Sequence, residues 1–204
     1  SLPSRGLGDV YKRQVLKLMK TEENVSLDDK KLIDAFISKD DGLRVGAKAF
    51  VYELLKCRIL FDSYVIKPDQ YDEKRKWSLL RLNSYINKNS LSPEYPNAFS
   101  SDNNEKIRMI LAMFHVSNPA LVYKRWLNDA LRVLNDLATE DRLEVDGSLF
   151  LAALEKQSGK YFDEICGGSQ LEFTENNVGV LHQGTGVQNF VFNRLDYLLW
   201  LSLI

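Results

Sequence analysis

Apolar residues recur along most of the chain at three- and four-residue steps, and the elements this spacing predicts are helices. In 24–39, "NVSLDDKKLIDAFISK", Ser26 is placed to cap the orphan backbone N–H groups of a helix. Asp28 and Asp29 fall in its first turn, where the helix dipole favours negative charge, and Leu32, Ile33 and Phe36 make its apolar face. Asp40-Asp41-Gly42 is a plausible stop. A second helix is predicted over about 45–66, with Ala47, Phe50, Val51, Leu54, Phe61, Tyr64 and Val65 toward a core. Pro68 marks its end.

The pattern then lapses. Residues 67–102 hold Pro68, Pro93 and Pro96 with many Asn and Ser, and read as one long irregular insertion. Its middle, "WSLLRLNSYI", could form a short strand or helix. Periodicity resumes in "NNEKIRMILAMFHVS", with Ile107, Ile110, Leu111 and Phe114 on one face. It is clearest in "SNPALVYKRWLNDALRVLNDLATED". There Asn118 suits an N-cap and Pro119 the first helical position, where its missing N–H costs nothing. Val122, Trp126, Ala130, Val133, Leu134 and Leu137 form the expected buried stripe, with Lys124, Arg125 and Arg132 opposite. A fifth helix is predicted from about Ser148, broken by Gly167-Gly168. The last, "VQNFVFNRLDYLLW", would bring Val191, Leu195, Leu198 and Leu199 to one side. The fold class expected is mainly α: about six helices in an irregular bundle, with the insertion at about 67–102.

The two ends change the domain picture. Gly6-Leu7-Gly8 resembles the start of a phosphate-binding loop, but it lacks the third glycine and the preceding strand, and Gly8 is not followed by Lys-Ser/Thr. "SRGLGDVYKRQ" instead resembles translated library-adapter sequence, and "LSLI" resembles another adapter frame. On that reading 1–14 is an adapter-like arm that packs on nothing and 201–204 an adapter-like junction. Residues 15–200 are then the helical middle segment of a larger protein.

Charge adds little direction. Lys and Arg total 27 against 28 Asp and Glu. Residues 1–14 hold Arg5, Lys12, Arg13 and Asp9, so the remainder has 24 basic and 27 acidic residues, a net charge of −3. No global electrostatic footprint for nucleic acid results, and only local patches remain as candidates. One is Lys74, Arg75 and Lys76 beside Trp77, a basic cluster with a stacking surface. Asp69, Asp72 and Glu73 stand next to it and cancel it, which favours a solvated loop with Trp77 tucked into the core. The other is the Lys124, Arg125 and Arg132 face. Apolar residues reach 45%, ordinary for a globular chain, and no apolar run approaches the ~20 residues of a membrane span. A cytoplasmic location and no membrane partner are expected.

Candidate chemistry is sparse. Cys57 and Cys166 have no metal or redox spacing, and Cys57 reads as a buried filler. His115 ends a helical stretch, where a histidine interacts favourably with the dipole and the last carbonyls; His182 lies in a polar connection. No Gly-x-Ser-x-Gly elbow occurs, and Asp28/Asp29 and Asp40/Asp41 are sequence neighbours, which turn to different faces of a helix. No catalytic residue, metal ligand or cofactor site is assigned.

Five phrases, "VSLDDKKLIDAF", "FVYELLKCRILFDSYVIK", "KWSLLRL", "MILAMFHVSNPALVYKRWLNDAL" and "NFVFNRLDYLLW", resemble in order the middle portion of the GmrSD-type restriction proteins. They cover most of Val25 to Trp200. The resemblance implies a parent with an N-terminal ParB-like domain, carrying Asp-Gly-Gln-Gln-Arg and using a nucleotide, and a C-terminal HNH-type half that cuts DNA with a divalent metal. It implies foreign or modified DNA as partner through that parent, and the flanking domains of the same chain as neighbours. Neither motif occurs in this sequence, so no catalytic residue of the family is carried to any position. A stand-alone helical binding module, contacting nucleic acid or protein through a local basic face, is the other reading of the same residues.

Overall fold

The computed structural model describes residues 47–68, 76–87, 90–117, 125–166 and 186–204. The expectations for the arm at 1–14, the helix in 24–39, the cap at Asn118-Pro119, the break at Gly167-Gly168 and His182 lie outside them. The described elements run α1 (Ala47–Tyr64), β1 (Lys67–Pro68), β2 (Trp77–Ser78), β3 (Asn83–Asn87), β4 (Ser90–Glu94), α2 (Ser101–Ser117), α3 (Arg125–Leu137), α4 (Gly147–Cys166) and α5 (Asn189–Leu203). The fold is mainly α, with five helices among the described residues. Contacts divide the chain into two compact units.

The described parts of the first unit are 47–65, 81–87, 90–95 and 125–145. Here α1 packs on α3. The buried side of α1 is Cys57, Leu60, Phe61 and Tyr64, followed by Val65. Val51 departs from the expected stripe: it is 60% exposed and continues into an outer ridge of Tyr52, Leu55 and Ile59. The side chains of Ala47 and Phe50 lie outside the described set. A helix with apolar residues on more than one side does not fix its own phase by spacing, because either stripe meets the periodicity. The hydroxyl of Tyr64 donates to the Leu143 carbonyl at 3.1 Å. Leu143 has a left-handed backbone conformation, φ 53°, which is costly for any residue that carries a Cβ.

The expected irregular stretch 67–102 holds more order than its composition suggests: β3 includes the end of "WSLLRLNSYI", where a strand was allowed for, and β4 was not expected. Strands β3 and β4 pair antiparallel, Asn83 opposite Glu94 and Asn87 opposite Ser90. Their sequences, NSYIN and SLSPE, lack the clean apolar alternation that marks a strand. Pro93 is tolerated because a two-stranded sheet consists only of edges.

The described parts of the second unit are 66–68, 76–80, 96–117, 146–166 and 186–204. Its strands β1 and β2 pair antiparallel, and β2 opens "WSLLRLNSYI", where a short strand was one of the two elements allowed for. Helix α2 packs on both α4 and α5. It buries Ile107, Ile110, Leu111 and Phe114, the expected face, and each such side chain contributes about 1.5–3 kcal/mol. Phe114, Tyr161 and Phe190, one from each helix, meet with ring centroids 5.9 to 6.1 Å apart. Helix α4 starts where Asp146 Oδ1 accepts the N–H groups of Ser148 and Leu149, at 2.8 and 3.0 Å. A Cβ at Gly147 would stand 2.8 Å from Cδ1 of Phe99, so a larger residue there would have to displace that ring.

The face of α5 is the largest correction. Phe190, Val191 and Tyr197 are buried, while Leu195, Leu198 and Leu199, expected inside with Val191, are exposed. The helix also extends through 201–203, past the expected Trp200. Its inward side carries polar anchors: Asn193 Nδ2 donates to Ser117 Oγ at 3.0 Å, Arg194 Nε to Ser158 Oγ at 3.1 Å, and Tyr197 to Glu155 at 3.2 Å. These bonds let a polar stripe face the neighbouring helices and leave an apolar one outside.

Candidate nucleic-acid interface

The expected stripe of α3 is met in part, and Val122 lies outside the described residues. Trp126, Ala130 and Leu134 are buried, Trp126 at 3% exposure, and Leu127, Asn128 and Leu131 are buried with them. Val133 and Leu137 are only half-buried. Arg125 and Arg132 are exposed. Seven residues apart, they stand two turns from one another, about 10 Å along the axis. Lys124 lies outside the described residues, as do Lys74 and Arg75.

The same face carries acid. Asp129 and Asp136 follow Arg125 and Arg132 at four-residue steps, so cation and carboxylate alternate along one line of the helix. Arg125 Nε stands 3.7 Å from Asp129 Oδ2, with 54% and 29% of the two side chains exposed. An exposed pair of that kind contributes little stability and neutralises its own field. The described part of the face is thus a balanced stripe, typical of a solvated helix surface.

Lys76 is exposed, and Trp77 beside it is half-buried in β2. The Trp77 ring meets the His115 imidazole edge-on, centroids 4.6 Å apart at 65°. One aromatic surface that could stack a base is therefore engaged with α2. His115 sits in the last turn of α2, the terminal position expected from the sequence.

The thiols are placed as structural groups. Cys57 is fully buried, and burial, reinforced by Glu53 and opposed by Lys56, pushes its pKa up to about 11. Burial also raises that of Cys166, at the end of α4, with Asp163 adding and Arg194 opposing. A raised thiol is a poor nucleophile and metal ligand at neutral pH.

Sequence reasoning missed the inward polar side of α5. Arg194 lies 4.7 Å over the Phe162 ring, and burial, opposed by Asp163 and Cys166, weakens its hold on the proton. Burial, reinforced by Glu155, raises the pKa of Tyr197. The signal available was the cluster of Asn193, Arg194 and Tyr197 at adjacent and four-residue steps in an otherwise apolar helix. A second missed group is Arg81, whose guanidinium is 5.9 Å above the Tyr64 ring and 3.9 Å from Glu144.

Among the described residues no group of three or more His, Cys, Asp or Glu side chains could hold a metal ion. Among them, too, no helix is long and apolar enough to cross a membrane. Comparison with family models, with curated proteins and with solved structures returns no match.

Proposed function

We propose that this chain is the helical connector of a GmrSD-type, modification-dependent restriction protein acting in the cytoplasm. In such a parent a nucleotide-using domain precedes it and an HNH half that cuts foreign or modified DNA follows it. The observation that supports this reading is where the resembling phrases fall. "MILAMFHVS" contributes the packed face of α2, "RWLNDAL" that of α3, and "NFVFNRLDYLLW" nearly all of α5. Text that maintains helix packing is what a connector needs, because its task is to hold two other domains at a fixed separation.

The stand-alone binding module is less well supported. Arg125 and Arg132 share their face with Asp129 and Asp136. Such a surface releases few counterions, so its contact with DNA would be weak.

The test is the complete reading frame, recovered from genomic DNA of the source. The connector reading expects Asp-Gly-Gln-Gln-Arg upstream of Val15 and an HNH motif downstream of Trp200. A frame that carries neither motif refutes it.

A further inference from the structure

Arg194 is held by its neighbours on α4 in a way that leaves the end of its side chain unused. Nε donates to Ser158 Oγ at 3.1 Å, and Ser158 is itself buried, at 3% exposure. The guanidinium carbon lies 4.7 Å over the Phe162 ring, which sets the plane of the group. Only the Nε–H donor is thereby used; the N–H groups of the two terminal nitrogens meet no acceptor among the described residues. Asp163 acts on the charge through space without coming within ion-pair distance. A partly buried cation in this state is stabilised by a counter-charge.

A second irregularity lies beside it. Gly159 stands inside the 20-residue α4, where glycine is less favourable than any residue but proline. Packing does not demand it, because a Cβ at this position would meet nothing within 4 Å. At about 100° per residue, Gly159 falls on the arc of α4 between Phe162 and Asp163, the side along which Arg194 lies. Its missing side chain leaves a notch there. We infer that this notch binds a carboxylate group, with the two terminal nitrogens of Arg194 as donors and the bare edge of α4 at Gly159 as its wall. The chemistry selects that group. Parallel guanidinium N–H donors match a planar carboxylate two to two. The charge of Asp163 disfavours a dianion such as phosphate, and the Phe162 ring offers a surface to the apolar body of an organic acid.

The test is a titration of the full chain with sodium acetate, ionic strength being held constant with sodium chloride. It is followed by the Nε–Hε magnetic resonance signal of Arg194, assigned by its loss in Arg194→Lys. Expected is a saturable shift, half complete between about 1 and about 50 mM, the range of a single bidentate pair. Acetamide, of the same shape but neutral, should leave the signal in place, and inorganic phosphate should bind more weakly than acetate. Gly159→Leu fills the notch and should lose the shift while melting no lower than the parent. Gly159→Ala adds the Cβ alone; it should melt higher and bind acetate about threefold more weakly or worse. No saturable shift with acetate overturns the inference, as does an equal shift with acetamide or tighter binding of phosphate. Undiminished binding in both Gly159 variants overturns it too. So does a shift that appears only in Glu172→Gln/Glu175→Gln, since a carboxylate of the chain itself would then fill the notch.

Discussion

Helices α3 and α5 solve the same packing problem in opposite ways. On α3 the buried side is apolar, with Trp126, Leu127, Ala130, Leu131 and Leu134, and the outer side alternates Arg125, Asp129, Arg132 and Asp136. On α5 the inner side mixes Phe190 and Val191 with Asn193, Arg194 and Tyr197, each polar group bonded to a neighbouring helix. Its outer side is Phe192, Leu195, Leu198 and Leu199. The difference shows what decides which side of a helix is buried. Apolar area sets how much can be gained, but a charged stripe excludes a side from the core. Without such a stripe, the partners available to the few polar groups settle the rotation.

The sharpest way to break the comparison is on α3. Trp126→Ala should cost about 3–5 kcal/mol, a large share of the ~5–15 kcal/mol that stabilises a domain, and leave the protein largely unfolded or molten. Arg125→Ala, one residue away and exposed, should cost under about 0.5 kcal/mol in the same urea titration. Equal losses would mean that the phase of α3 is wrong.

Next is the buried thiol on α1, the helix against which α3 packs. The folded Cys57 pKa lies near 11, above its ordinary value of 9.0. The unfolded chain therefore loses this proton first as pH rises. The stabilisation is complete below pH 9 and is lost between about 9 and 11, for a total of roughly 2–3 kcal/mol. Melting temperature should fall across that window and fall less in Cys57→Ala. An identical slope in both proteins contradicts the placement of the thiol.

Smaller effects sharpen the account of α5. Tyr197→Phe removes only the hydroxyl that donates to Glu155 and should cost about 1 kcal/mol in urea denaturation. A neutral result would mean that this bond does not orient the helix. Smallest in stability is Arg125→Ala/Arg132→Ala, expected to unfold with the parent within about 0.5 kcal/mol. Because Asp129 and Asp136 neutralise that face, this pair should also leave any weak DNA affinity nearly unchanged in a salt series. A drop in affinity that steepens at low salt would restore the basic face as a contact surface.

The contrast between the two helices also explains what the sequence made legible. The rotation of α3 could be read because Arg125 and Arg132 mark one side as wet. That of α2 could be read because Glu105, Lys106 and Arg108 alternate with Ile107, Ile110 and Leu111. In α5, leucines lie on the outer side and Phe190 and Tyr197 within, so period alone selected the wrong stripe. Of the β3–β4 pair only the first strand was hinted at, within "WSLLRLNSYI"; β4 was hidden because it does not alternate and carries turn-forming Ser and Pro. The end placement of His115 and the burial of Cys57 followed from local position alone. What the sequence could not supply was the set of partners, such as Ser117, Ser158 and Glu155, that turn polar residues inward.

The most direct measurement uses one residue type at two positions on α5. Phe190 is 2% exposed and Phe192, two residues on, is 50% exposed. Urea denaturation of Phe190→Ala and Phe192→Ala under the same conditions compares the two faces directly. The inward assignment predicts a loss of about 3–5 kcal/mol for Phe190→Ala and under about 1 kcal/mol for Phe192→Ala. Equal losses, or a larger one for Phe192→Ala, would contradict it.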